Sequence, residues 1–493
     1  MLIKLLLGFA VALFLTYPAS VLTTMIEGQS AAAIYSNHLL TSLIVYLLVC
    51  LPLASHPGVR RAMGYFWKDA IATLQHDKRW VPLLLIITIY SLLVFWDLGR
   101  ADILGDDYDL AYQAYNLQDG IQASRKAYVV SYNTHPPLFM SIKHYWFQLF
   151  PNGLETVPAW GYRGMEGIMG IATILAVYAL TRNLWAPAIL AVNNYMVLIG
   201  RVYLREMYLT FFLTLSIYFF QRKNYLITAF LIGCGLLIKT SAIVVLPVYL
   251  AILLYRREFK EILKIIGIIF IMYLPVLVYN LLAYVTTGHM DATFSKIFNI
   301  SHPFLTGSAP PIDNLTNSIK YLIDIYSLPV IIVFVISTVI YLRNIYSHIL
   351  IFSLLYFVLG GPLREYYLLF MTVPFAILTS RLPKLIVLPL IIFSLWYAIF
   401  GQSYARWLYE PVRGWPELSS KVKSFYQPGD CLEKSGGVND LAMRSYFQTD
   451  DTPKKMLIGS NYPHYFKMCD EENNFNRKIN IFYNKGKVDY TVL

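Results

Sequence analysis

Long apolar runs recur through this chain, and most stretches between them are too short to fold alone. Runs at residues 2–22, 36–54 and 81–97 come first, followed by one polar interval over 98–163. A near-continuous series then occupies about 164–182, 184–200, 206–221, 224–239, 241–255, 262–283, 326–343, 346–361, 366–381 and 384–401. Seventeen to about 20 helical residues rise roughly 26–30 Å, the thickness of a bilayer's hydrocarbon. Composition agrees: 57% of residues are hydrophobic and 14% charged, where soluble domains carry about 25% charged residues. The expected fold class is an all-α polytopic membrane protein of about 13 transmembrane helices, with membrane lipids as its solvent. The first run can be a span or a cleaved signal, and either leaves the later topology the same.

The formal net charge of +11 could suggest nucleic acid, but no basic stretch is interleaved with aromatics, so no nucleic-acid partner is expected. The cations lie in short alternate loops. Arg60, Arg61, Lys68, Lys78 and Arg79 share a side with Arg182, Arg222 and Lys223, Arg256, Arg257 and Lys260, Arg343, and Arg381 with Lys384. This pattern marks those loops as cytoplasmic. It puts loop 98–163, loop 284–325 and the tail outside the cytoplasmic membrane. The 39 tyrosines suit the two membrane–water interfaces. Three parts follow: residues 1–80 with extra N-terminal helices and a cytoplasmic loop, a membrane core over 81–401, and an extracytoplasmic tail over 402–493.

Within loop 98–163, Phe139, Ile142, Trp146 and Leu149 recur at helical spacing, which predicts an interfacial helix with Lys143 and Gln148 on its wet face. Pro136 and Pro137 suit its start. Loop 284–325 carries two glycosylation-type triplets, Asn299-Ile300-Ser301 and Asn314-Leu315-Thr316. The polar tail reads as a small α/β domain: a helix from Pro416 to Phe425, a turn at Pro428-Gly429-Asp430, and a strand over Ile479–Tyr483. Cys431 and Cys469 can pair there in an oxidising compartment. Cys50 and Cys234 lie in apolar runs as small hydrophobes, and no Cys/His metal spacing exists.

Three elements on the outer face hold polar groups that packing alone does not require. Asp106 and Asp107 follow a span by about nine residues. Arg201, Arg205 and Glu206 crowd a very short turn, where mutual neutralisation is the plain alternative. Lys239 stands at a membrane boundary, where a lysine can also snorkel. Carboxylates beside cations suit transfer from a lipid phosphate donor: a carboxylate takes the acceptor's proton, and cations or a carboxylate-held metal stabilise the departing phosphate.

The order Gly105-Asp106-Asp107-Tyr108, His135-Pro136-Pro137-Leu138, Arg163 with Ile171–Arg182, Arg201–Phe212, Gly235–Ser241 and Arg364-Glu365-Tyr366-Tyr367 resembles the GT-C membrane glycosyltransferases. It is most similar to the dolichyl-phosphate-mannose protein mannosyltransferase and aminoarabinose transferase group, over about residues 81–400. The resemblance implies a GT-C-like bundle and an inverting glycosyltransferase, moving a monosaccharide from a polyprenyl-phosphate donor to a glycan, lipid or protein acceptor. It makes Asp106 the base, with Asp107 where the family usually has Glu and Glu206 where Asp is commoner. His135, Arg201, Arg205, Lys239, Arg364 and Tyr366 become candidates for holding the donor. A divalent metal, Mg or Mn, would rest on Asp106 and Glu206. The large lumenal insert of eukaryotic protein mannosyltransferases and the WWDYG element of oligosaccharyltransferase are both missing, so neither acceptor is inherited. The alternative is a transporter or flippase of lipid-linked sugars, which calls for ionisable residues at mid-span and paired broken helices.

Overall fold

The computed structural model describes residues 79–96, 98, 114, 138–150, 157–287, 311–359, 365–400, 415–427, 430–434, 469, 477–484 and 487–492. The expected spans at 2–22 and 36–54 and the Asn299 triplet lie outside these residues. The described chain is mostly helical. Helix α1 covers Trp80–Phe95, α2 Leu138–Phe147, α3 Ala159–Thr181, α4 Trp185–Ala191, α5 Asn194–Gly200, α6 Glu206–Gln221 and α7 Tyr225–Leu236. A 3-10 segment, Thr240–Val245, leads into α8 (Leu246–Tyr255), followed by α9 (Phe259–Thr287), α10 (Pro311–Tyr326), α11 (Leu328–Ile340) and α12 (Ile345–Leu359). A second 3-10 segment, Glu365–Met371, precedes α13 (Thr372–Thr379) and α14 (Lys384–Phe400). Helix α15 (Trp415–Phe425) and strands β1 (Asp430–Lys434), β2 (Arg477–Asn484) and β3 (Lys487–Val492) complete the chain.

The helices fall where the apolar runs placed them, with two corrections. The expected span 184–200 is broken into α4 and α5, because the Asn193 side chain accepts from the backbone N–H groups of Tyr195 (3.0 Å) and Met196 (3.2 Å) and so caps a new helix. The expected loop 284–325 is partly helical: α9 runs on to Thr287, and α10 contains the Asn314-Leu315-Thr316 triplet. Helix α10 then turns by 112° into α11. Ser327, at the corner, has φ 68, a left-handed backbone that a continuing helix cannot adopt.

Among the described helices, Trp160–Thr181 is long and apolar enough to cross a membrane, and the bent α10–α11 pair passes the same test together. Several other apolar helices are shorter, while α9 runs for 29 residues. Their outward faces are nevertheless greasy: Leu84 and Leu85 on α1, Leu263 and Ile271 on α9, Val335 and Val339 on α11, and Leu385 and Ile392 on α14 are all exposed. Apolar surface of that extent suits hydrocarbon better than water.

Inside, α7 packs between α6 and α9, and α3 packs on both α1 and α6. Close approach of α1 and α3 depends on glycine: a Cβ on Gly170 would collide with the Tyr90 hydroxyl, and one on Gly167 would meet the Phe95 ring at 2.6 Å. The basic loops gather at one end and are cross-linked there. Arg79 donates to Arg182 O (3.0 Å), Asn183 to Ser380 Oγ (3.3 Å), and Gln221 to the Tyr346 hydroxyl (2.8 Å), over which Arg381 also lies. In the tail, β2 is central, parallel to β1 and antiparallel to β3. Cys431 and Cys469 form a disulfide, and Arg477 clasps Asp430 at 2.6 Å.

Candidate active site

The end of the bundle opposite the basic loops collects the C-terminal end of α1, the start of α3, the 201–205 turn, the start of α6 and the end of α7. Glu206 is the first residue of α6, where unpaired backbone N–H groups and the helix dipole favour a carboxylate. Helix α7 ends at Leu236, and Lys239 sits in extended backbone just before the 3-10 segment. That short break turns the lysine inward. Its Nζ donates to Glu206 Oε1, and both side chains are buried. Separation in sequence is 33 residues, so the pair exists only because α6 and α7 pack side by side.

The pair does not use up its neighbourhood. Among the described residues, Glu206 Oε2 and Arg205 Nε are both buried without a hydrogen-bond partner. A buried polar atom in that condition costs about 1–3 kcal/mol. One is an acceptor and the other a donor, and both lie beside the ion pair. Among the described residues no three His, Cys, Asp or Glu side chains come close enough to hold a metal ion.

Other elements singled out in the sequence meet this point. Leu138, the last residue of the His135-Pro136-Pro137-Leu138 element, donates its backbone N–H to Leu237 O at 2.8 Å, two residues from Lys239. The 3-10 segment Glu365–Met371, which contains Tyr366, packs on α6 and α5. Arg201 turns away from the pair toward α1 and donates to Leu93 O (2.9 Å). Arg163, buried on α3, donates to Leu98 O (3.5 Å). Asp106, Asp107, His135 and Arg364 lie outside the described residues.

One expectation fails. Lys143, assigned to the wet face of α2, is fully buried. The stripe that packs is Phe139, Lys143 and Phe147, one turn apart, and all three meet Tyr203 in the 201–205 turn. Phe139 is edge-on to Tyr203 at 5.4 Å, Phe147 is stacked on it at 6.0 Å, and Lys143 Nζ lies 4.1 Å from its ring centroid. The lysine also donates to Tyr162 O (2.9 Å) and pairs with Glu166, 2.7 Å from Oε1 and 2.8 Å from Oε2. Gln148 is exposed as expected, and so is Leu149, assigned to the apolar face. Sequence reasoning overlooked Glu166, although a carboxylate inside an apolar run was itself a signal. Next to Lys143, His144 is buried and donates from Nδ1 to Ala114 O (2.9 Å); burial pushes its imidazole below the ordinary histidine range.

No family model matches the chain, and no curated protein does. Solved structures do. ArnT from Cupriavidus metallidurans in the apo state matches with a TM-score of 0.57 at 11% identity, covering 84% of this chain and 97% of that one. The same protein bound to undecaprenyl phosphate matches at 0.57 and 12% identity, covering 84% and 98%. The chain therefore shares its fold with ArnT over most of the length of both proteins.

Proposed function

We propose that the chain is an inverting glycosyltransferase that moves a monosaccharide from a polyprenyl-phosphate donor to a glycan, lipid or protein hydroxyl at the outer face of the cytoplasmic membrane. The observation that carries this reading is the buried Glu206–Lys239 pair with its two uncommitted neighbours, Glu206 Oε2 and Arg205 Nε. The fold shared with an ArnT that binds undecaprenyl phosphate supports it. The gathering of basic loops at the opposite end supports the outward orientation, as does a disulfide in the tail.

In this mechanism Asp106 removes the acceptor hydroxyl's proton. The oxygen attacks the anomeric carbon from the side opposite the phosphate, and the bond from that carbon to the phosphate oxygen breaks. The anomeric centre inverts, and the lipid leaves as polyprenyl phosphate carrying the bonding electron pair. Lys239 and Arg205 receive the phosphate charge, and Glu206 keeps the lysine aimed. Lys239 has three N–H donors, so it can hold Glu206 and a phosphate oxygen together. Asp106 and Glu206 Oε2 are the groups that would hold a divalent cation, which would add charge stabilisation there.

The test is transfer by the purified full chain from a panel of polyprenyl-phosphate sugars, read by mass spectrometry of lipid and acceptor. Released polyprenyl phosphate and a glycosylated acceptor are expected, and Asp106→Asn abolishes both while leaving the fold intact. Full activity in Asp106→Asn would overturn the base assignment. Movement of lipid-linked sugar across vesicles without any new covalent product would establish the transporter alternative. Stripping with EDTA and adding back Mg or Mn reads the metal dependence.

A further inference from the structure

We infer that the buried Lys143–Glu166 ion pair is a positioning device, which locks α2 in place so that Leu138 is held against Leu237 beside the Glu206–Lys239 site. The inference rests on the proposed transfer reaction for its consequence, but not for the lock itself.

Lys143 is held by three separate elements. Its own helix, α2, brings it inward on the same stripe as Phe139 and Phe147. Helix α3 supplies Glu166 and the Tyr162 carbonyl. The 201–205 turn supplies the Tyr203 ring. Each side chain of the pair is 0% exposed, so the charges have no water to fall back on, and separating them leaves an uncompensated carboxylate. Rotation or sliding of α2 would do that. An apolar contact tolerates small slippage, whereas a buried ion pair enforces one register.

That register matters because of what α2 begins with. The Leu138 amide reaches Leu237 O, and Phe139 packs edge-on against both Tyr203 and Tyr208 (5.2 Å). Tyr203 and Tyr208 flank Arg205 and Glu206 in the chain, and Leu237 precedes Lys239. Helix α2 is thereby fixed to both halves of the candidate site. Lys143 and Glu166 bear on the site through α2.

The experiment compares wild-type full chain with Lys143→Met and with the double variant Lys143→Met/Glu166→Gln, which removes both charges and leaves none stranded. Hydrogen exchange over residues 138–147 reads the lock without any catalysis. Faster exchange there is expected in the double variant, with α6 and α7 unchanged. In the transfer assay, kcat per folded enzyme is expected to fall at least tenfold, with KM for the donor within threefold. Unchanged exchange at 138–147 in the folded double variant would overturn the lock. Faster exchange with wild-type kcat would overturn its role in positioning. Exchange rising equally through all helices would show an ordinary stabilising pair and also overturn it. If wild-type protein shows no transfer at all, the proposed reaction fails, while the exchange arm still decides the lock.

Discussion

Two Lys–Glu pairs lie within the same end of this bundle, and they are built differently. Lys143–Glu166 is sealed: both members are fully buried, and the lysine is also engaged by a carbonyl and a tyrosine ring. Lys239–Glu206 is less completely enclosed, with the lysine side chain 10% exposed, and among the described residues Glu206 Oε2 and Arg205 Nε make no hydrogen bond beside it. In the first pair Lys143 Nζ lies within 2.8 Å of both Glu166 oxygens, although Oε1 makes no aligned hydrogen bond among the described residues. Burial and charge are common to the two pairs; what differs is the ion-pair geometry, with Lys143 close to both oxygens of Glu166 and Lys239 bonded to one oxygen of Glu206.

The largest effect that can break this contrast is on stability. Lys143→Met strands Glu166 in the interior and should destabilise the protein by about 3–5 kcal/mol, read by denaturant or thermal unfolding in detergent. Adding Glu166→Gln should restore most of that loss; no restoration would mean the lysine acts by shape alone. Next comes Lys239→Met, which should lower transfer by about 100–1,000-fold, the range for removing one preorganised donor to a developing anion. Its unfolding midpoint should move less than that of Lys143→Met, because Glu206 keeps the N-terminal field of α6. Equal destabilisation by the two methionine variants would erase the distinction between the two pairs.

A smaller effect tests the ring between them. Tyr203→Leu removes one cation–π contact and two aromatic contacts, and should cost about 1–3 kcal/mol, with hydrogen exchange rising first in α2. The smallest concerns a third pair, at a half-open surface. The Arg477 guanidinium bonded to Asp430 holds that carboxyl below its ordinary range. A depressed carboxylate contributes stability that is complete above the unfolded value, about 3.9, and is lost as pH falls through the lower folded value. Acid should therefore loosen exchange in β1 and β2 below about pH 4, and Asp430→Asn should flatten that response. A tail whose exchange is indifferent to pH in both proteins would show that this pair contributes nothing measurable.

What could be read from the sequence was what depends on neighbouring residues. Helix α6 spans the run expected at 206–221, and α14, Lys384–Phe400, matches the run at 384–401, because hydropathy over one turn after another is a local property. The break at Asn193 was missed, since an asparagine in an apolar run gives no sign of whether it will cap or point aside. Helix α10 was missed for the opposite reason: its polar half, with Asp313, Asn314, Asn317 and Lys320, depresses its average hydropathy to that of a loop. The orientation of α2 was ambiguous in principle. Two stripes through it are apolar enough to pack, and the choice fell to a glutamate 23 residues away. Glu206, Lys239 and Arg205 were legible as unusual, but their meeting was not, because it depends on how α6 and α7 pack.

The cross-linked basic end has a mechanical meaning. With Arg79 tied to 182, Asn183 to 380 and Gln221 to Tyr346, the helices resemble staves hooped at one rim. Relative motion of the helices would then be smallest at that rim and largest at the opposite end, where the Glu206–Lys239 and Lys143–Glu166 pairs lie.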